Sequence, residues 1–486
     1  MVLEYTKKPN AAMSVLEPYR GPWSKTLAAH LLNRAGFGGL PADIDHAAKA
    51  GLDKSVDALV DFDKIEEVVA PPTLPDNPAN LRDVRKLSEE EKKKLFRSNR
   101  EAIEDIRGWW IGRMLRTQRP LQEKLTVFWH GHFATSANDV KNARHMYAQN
   151  EFLRQHCLAG FRDLLRGISR DPAMLKYLDN NTNRKSHPNE NYARELMELF
   201  SMGIGNYTED DVKAAARAFT GWTFRGDEFA IIDRQHDEGE KAFLGRRGNF
   251  DGDDVIDIIL QQPCTARWMA KKFFAFFVYD DPEPAIVDEL AVALRRQDYQ
   301  FKPFLRALLK SEVFYSPRAW RTQIKSPAQL VLGSVRYLGT EINERALAVA
   351  MRLLGQDLLF PPNVKGWDGG ETWINTNSLL MRYNMAGYLV EGQIPESGTL
   401  PAKGPERRQR LSRFARPKTE LEKFYGPDIS ADGPKLVDAL VARLLQAPVS
   451  AAGRAMLIEY TERTRVSERP STVAHLVMSM PEYQLC

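Results

Sequence analysis

The stretch SEEEKKKLFRSNREAIEDIRGWWIGRMLRT, residues 88–117, decides the fold class. Its apolar residues recur at three- and four-residue spacing with polar residues between them, the period of an amphipathic helix rather than a strand. Ser88 and Glu91 have capping-box spacing, which places the helix start. The charged run from Leu87 to Lys94 reads as the solvated face of that opening turn.

Working outward, the same period predicts helices at 24–35, 41–48 and 53–60 upstream, and at 119–130, 139–157, 159–168, 170–177, 188–202 and 208–220 downstream. It returns at 252–260, 263–278, 282–297, 301–310, 324–337, 343–353, 375–390, 433–446, 450–463 and 470–479. Thr208 before Glu209, Asp210 and Asp211 is a start signal, and Pro188 and Pro263 suit first helical positions. Alternating apolar residues are almost absent. Residues 219–232 form the one plausible hairpin, with Arg225-Gly226-Asp227 as the turn and Phe224, Phe229, Ile231 and Ile232 in its strands. The expected fold is all-α, a large multi-helix orthogonal bundle with long loops and at most a small β-hairpin. Residues 1–87 read as a helical segment with the proline-rich connector Pro71-Pro72 to Pro78, 88–393 as the main domain, 394–418 as an exposed basic linker, and 419–486 as a C-terminal helical segment packing on the main domain.

Composition sets bounds on function. The chain has 486 residues, 43% hydrophobic, enough for a sizeable core. Lys and Arg number 68 against 64 Asp and Glu, a net charge of +4 that is too even to argue for nucleic acid. Cys157, Cys264 and Cys486 are far apart and odd in number, so neither a disulfide framework nor a thiolate metal cluster is expected. No apolar stretch is long enough to span a membrane, and the first twenty residues lack the apolar core of a secretion signal. The chain as written therefore reads as cytoplasmic, or as periplasmic or extracellular if a leader has been removed. P-loop, Rossmann glycine and nucleophile-elbow motifs are absent, so no nucleotide or dinucleotide is expected.

Chemistry, if present, belongs where six of the nine histidines fall within little more than a hundred residues. Phe128-Trp129-His130-Gly131-His132-Phe133 is one such segment; two histidines two residues apart point some 200° away from each other on a helix. They can share an ion only if Gly131 ends the helix. A second segment, His187-Pro188-Asn189-Glu190-Asn191-Tyr192-Ala193-Arg194-Glu195, opens a helix with His187 at its positive end. With Tyr192 set at zero, Leu196, Leu199 and Phe200 form a stripe from about −20° to +80°, and Glu195 lies at its edge near about −60°. Asn191, Arg194 and Glu198 continue into a polar strip; Glu190 and Arg194 also have favourable (i, i+4) spacing for a structural ion pair. The third segment is His236-Asp237 with Lys241, an active-site loop or a solvated turn.

These segments, with YTEDDV, ARAFTGW, HDEGEKAFLG, NFDGDDV and the closing MSMPEYQL, resemble a large bacterial family, the domain of unknown function numbered eighteen hundred. The resemblance runs from about Leu31 to the last residues. It implies frequent export, often behind a twin-arginine leader, and no known activity. A further motif-like loop, Asn363-Val364-Lys365-Gly366-Trp367-Asp368 with Trp373, offers aromatic platforms suited to sugar faces.

Three readings stay open. The first is a metal-dependent hydrolase acting on a carbohydrate or related polymer. In it His130, His132, His236 and His187 hold one divalent ion, zinc or manganese; Glu190, Glu195, Asp237 and Lys241 are the catalytic candidates. Asn191, Arg194, Trp222 and Trp367 would bind substrate, supported by Glu198 and Asn189. The second is a metal-free glycosidase or lyase using Glu, His and Lys. The third is a noncatalytic binding or assembly protein whose polar cluster ties helices together.

Overall fold

Helix follows helix, as the period predicts, because each amphipathic stripe finds a neighbour to cover it. The computed structural model describes residues 14–76, 86–392, 417–425 and 429–486. Among the described residues the first nine α-helices are α1 (Lys25–Arg34), α2 (Pro41–Ala50), α3 (Leu52–Val60), α4 (Glu89–Arg116), α5 (Pro120–His132), α6 (Ala137–Val140), α7 (Ala143–Gln155), α8 (Phe161–Arg170) and α9 (Pro172–Tyr177). Then come α10 (Asn191–Glu195), α11 (Glu209–Ala218), α12 (Gly252–Gln261), α13 (Pro263–Phe277), α14 (Pro284–Arg296) and α15 (Phe301–Leu309). The last six are α16 (Pro327–Leu338), α17 (Glu344–Leu353), α18 (Thr376–Glu391), α19 (Gly433–Leu444), α20 (Ala451–Arg463) and α21 (Arg469–Ser479). The capping box of Ser88 and Glu91 forms at the start of α4. The linker expected at 394–418 falls almost wholly outside the described residues.

Two antiparallel hairpins, besides isolated bridges, make up the β structure of the described residues. Strands β1 (Trp222–Arg225) and β2 (Glu228–Ile231) pair across the expected turn, with Phe224 opposite Phe229. The second hairpin, β3 (Lys241–Phe243) with β4 (Arg246–Gly248), has no counterpart in the sequence reading.

Three expected helices differ in ways that matter. Residues 119–130 were expected to end at Gly131; instead α5 continues through Gly131 to His132, and Phe133 N–H caps it on the Trp129 carbonyl. The single helix expected at 139–157 is split, because Lys141 takes a left-handed φ of 56° and Asn142 recaps the chain by accepting from the N–H groups of Arg144 and His145. The helix expected at 188–202 is α-helical only as α10, then widens into a π-helical segment, Leu196–Ser201. The wider turn rotates the later residues, so Met197 is buried while Leu199 is only half-buried.

Two large apolar clusters organise the core. One gathers Leu121, Leu125 and Trp129 of α5 with residues of α8, α12, α13 and α15. The other joins Ile103, Ile106 and Trp110 of α4 to residues of α16, α17, α19 and α21, and takes Val127 from α5. Helix α5 thus lies between both clusters. All three cysteines are free, and among the described residues no helix is long and apolar enough to cross a membrane.

Candidate ligand-binding cavity

A helix buried on every side must find a partner for each polar side chain it carries. From Leu121 to His130, every residue of α5 is buried. Gln122 donates to the Arg154 carbonyl, and Thr126 to the Gln122 carbonyl. Glu123 accepts from Arg113 Nε at 2.6 Å, Arg154 Nε at 2.7 Å and Trp110 Nε1 at 2.9 Å. Lys124 is 3% exposed and has no hydrogen bond or ion pair among the described residues. Its ammonium lies 4.9 Å from the centre of the Phe276 ring and 5.9 Å from that of Phe37.

Lys124 instead faces a cavity of about 300 Å³. Helical spacing builds one wall: Lys124, Val127, Phe128 and Gly131 recur on a single face of α5, with His132 beside them. Lys272, Ala275 and Phe276 of α13 line the cavity in the same periodic way, and Asp280 follows just beyond that helix. The loop carrying Lys365, Trp367, Gly369, Gly370 and Trp373 closes over them. Gly366 lets this loop lie against α5: it has a φ of +82°, and a Cβ there would collide with the Gly131 carbonyl.

Burial sets the proton chemistry. It lowers Lys124 to about 7; Arg34 adds to the effect and Cys486 opposes it. Lys272 is lowered to about 8, first by burial and then by Lys365. Asp280 moves upward through burial, against the pull of Arg34.

The two histidines of α5 point to different partners, as continuous helical geometry requires. His132 Nε2 lies 2.9 Å from the Phe200 carbonyl in the π-helical segment. A nitrogen facing a carbonyl must donate, so Nδ1 is the bare nitrogen, and it is buried with no partner. Burial, with Lys272 nearby, holds His132 well below its ordinary range. His130 is the opposite tautomer: its Nε2 accepts from the Leu359 N–H at 3.1 Å, and burial lowers it to about 4. His130 therefore pins the chain leading into the cavity loop. Replacing it by alanine orphans a buried N–H and is expected to cost about 1–3 kcal/mol, read as a lower urea midpoint. Because the native imidazole stays neutral while an unfolded one protonates near its usual 6.5, His130 makes stability fall as pH drops from about 6.5 towards 4.

The other sequence candidates lie elsewhere. His236 Nδ1 donates to the Thr220 carbonyl at 2.8 Å, and His187 is exposed beside an isolated bridge to Arg184. Among the described residues, no three His, Cys, Asp or Glu side chains are grouped to hold a metal ion. Glu190 pairs with Arg194 at 3.2 Å, and Arg194 also grips both oxygens of Glu209, at 2.7 and 2.8 Å. Asp237 pairs with Arg217 at 2.7 Å, which holds its carboxyl below the usual range. Lys241 is buried, donating to the carbonyls of Asp237 and Gly239. Asn189 accepts from the Asn191 N–H, Asn191 is exposed, and Trp222 is buried against Phe219 and Phe229. Glu198 accepts from Tyr207 Oη at 2.6 Å. Glu195 is half-buried without a hydrogen bond or ion pair among the described residues, and burial followed by Glu198 raises its carboxyl. Of the proposed set, the cavity brings together only His132 and Trp367.

Sequence reasoning missed Lys124 and Lys272. The available signal was a lysine on the same face as Val127, Phe128 and Gly131 in a helix rich in large apolar residues.

Fold and site together define a mostly α-helical protein with a lysine-lined cavity. The chain belongs to the family described as Protein of unknown function (DUF1800), which matches residues 30–485. No curated protein and no solved structure matches it.

Proposed function

We propose that the protein is a metal-independent enzyme acting on a carbohydrate or related polymer, with Lys124 of the cavity as its acid–base group. The observation that carries this reading is a buried amine, without a counter-ion among the described residues, facing a cavity. An amine near 7 is divided about evenly between base and acid at neutral pH, the condition under which general acid–base catalysis is most effective. Unprotonated Lys124 takes a proton from an attacking hydroxyl or water. As the ammonium it returns that proton to the leaving oxygen. Trp367 and Trp373 in the cavity lining give flat apolar surfaces of the kind on which sugar rings stack.

The metal-dependent hydrolase has weaker support, because of its four histidines only His132 lines the cavity and, among the described residues, no three candidate ligands are grouped to hold an ion. The test is a turnover screen on neutral and acidic oligosaccharides with protein purified without chelator. Turnover is expected to survive EDTA and to fall at least ~100-fold in Lys124→Met. Turnover abolished by EDTA and restored by zinc or manganese, or retained in Lys124→Met, would contradict the proposal.

A further inference from the structure

The cavity has more cationic groups than its own carboxylates occupy. Three lysines line it, Lys124, Lys272 and Lys365, against two carboxylates, Asp280 and Asp368. Asp368 is already paired with Lys365. The charge that acts most strongly on Asp280 is that of Arg34, followed by Glu371 and Asp281. Lys272 is half-buried, with the Trp268 ring 4.8 Å from its ammonium and no hydrogen bond or ion pair among the described residues. Lys124 is almost wholly buried and equally without one. Burying cations without anions is unfavourable, and a ligand that brings the missing charge offsets that cost.

We infer that the ligand carries an oxyanion, a carboxylate, sulfate or phosphate group, received by Lys272 with Lys365 at the rim, and a hydroxyl that donates to His132 Nδ1. The inference rests on the cavity being the functional site, as proposed above, and deepens it: the substrate class is an acidic sugar. Two independent observations point to the ligand. One is the pair of lysines without anions; the other is the buried Nδ1 of His132, fixed as an acceptor by the bond from Nε2 to Phe200 and lacking a donor. Lys272 and His132 line the same cavity, and the charge of Lys272 adds to the burial that lowers His132.

The titratable groups that line the cavity with Lys272 are Lys365 and Asp368 from the loop, His132 and Lys124 from α5, and Asp280; Lys365 acts on Lys272 itself, whereas Arg34 and Cys486 act on Lys124. A bound anion favours the ammonium form of Lys272, so affinity is highest below about 8 and falls as pH rises through that value.

Isothermal titration of the full chain with inorganic phosphate, sulfate, glucuronate and neutral glucose, at pH 6.5 and pH 9, tests this. At least one oxyanion is expected to bind at least ~10-fold more tightly than glucose, and at least ~10-fold more weakly at pH 9 than at pH 6.5. The oxyanion that binds best identifies the group. Lys272→Met is expected to lose this preference and Lys272→Arg to keep it, with unchanged circular dichroism in both. The inference is overturned if all three anions bind no better than glucose, or if Lys272→Met binds them as the unaltered protein does. An unaltered protein that shows no anion preference yet turns over neutral sugars in a Lys124-dependent way would sink this inference alone. Anion binding without such turnover would sink only the acid–base reading.

Discussion

Lys124→Met is expected to make the protein more stable at neutral pH, on the order of 4 kcal/mol, even as it removes the proposed activity. The native amine is lowered to about 7, whereas an unfolded lysine titrates near its model value of 10.5. Between those values the unfolded chain holds more protons, so this residue makes stability rise with pH across that window. At pH 7 the folded protein bears nearly the full cost of keeping the amine out of water. Methionine has similar length and no charge, and removes that cost. Urea midpoints at pH 7 and pH 10 measure the effect: the advantage of the variant should be large at pH 7 and shrink towards pH 10. Stability sacrificed at one residue is characteristic of a functional site. Equal stability of the two proteins at pH 7 would remove that argument.

Glu123→Ala is expected to be the most damaging single change in the same helix, costing about 3–5 kcal/mol. Glu123 is 0% exposed and draws α4, α5 and α7 together through Arg113, Trp110 and Arg154. Removing the carboxylate leaves two buried guanidinium groups short of their counter-ion and an indole N–H without its acceptor. Urea unfolding at pH 7 reads the loss directly. A change below about 1 kcal/mol would mean that Arg113, through Glu67, and Arg154, through Glu151, are satisfied without it.

Neighbouring residues of one helix, Glu123 and Lys124, thus have opposite expected effects, and local sequence does not distinguish them. Both read as polar positions of α5; only the packing of α4, α7 and α13 around it decides which one finds partners. Helical period was legible because it is local, as was the hairpin of β1 and β2, whose apolar residues flank the turn at Gly226. The hairpin of β3 and β4 was not: its strands have three residues each, too few to show alternation. Its turn places Leu244 at a φ of 46°, a position no propensity rule favours for leucine, held by the Leu244 N–H donating to Asp211. Gly131 shows the limit of a statistical signal. Glycine often follows a helix end, but here a glycine in the last turn admits the loop at Gly366. The polar strip around Glu190 and Arg194 formed the ion pair that its spacing allowed, whereas the meeting of Lys124 with Lys272 joins residues almost 150 positions apart.

The central claim is that Lys124 is an accessible amine of depressed basicity in a cavity. It is tested most directly by the pH dependence of lysine acetylation, read residue by residue by mass spectrometry on the folded chain. Lys124 is expected to react with a midpoint near 7, far below the ordinary lysine value of about 10.5. A midpoint for Lys124 in the ordinary lysine range, or no reaction at any pH at which the protein stays folded, would contradict it.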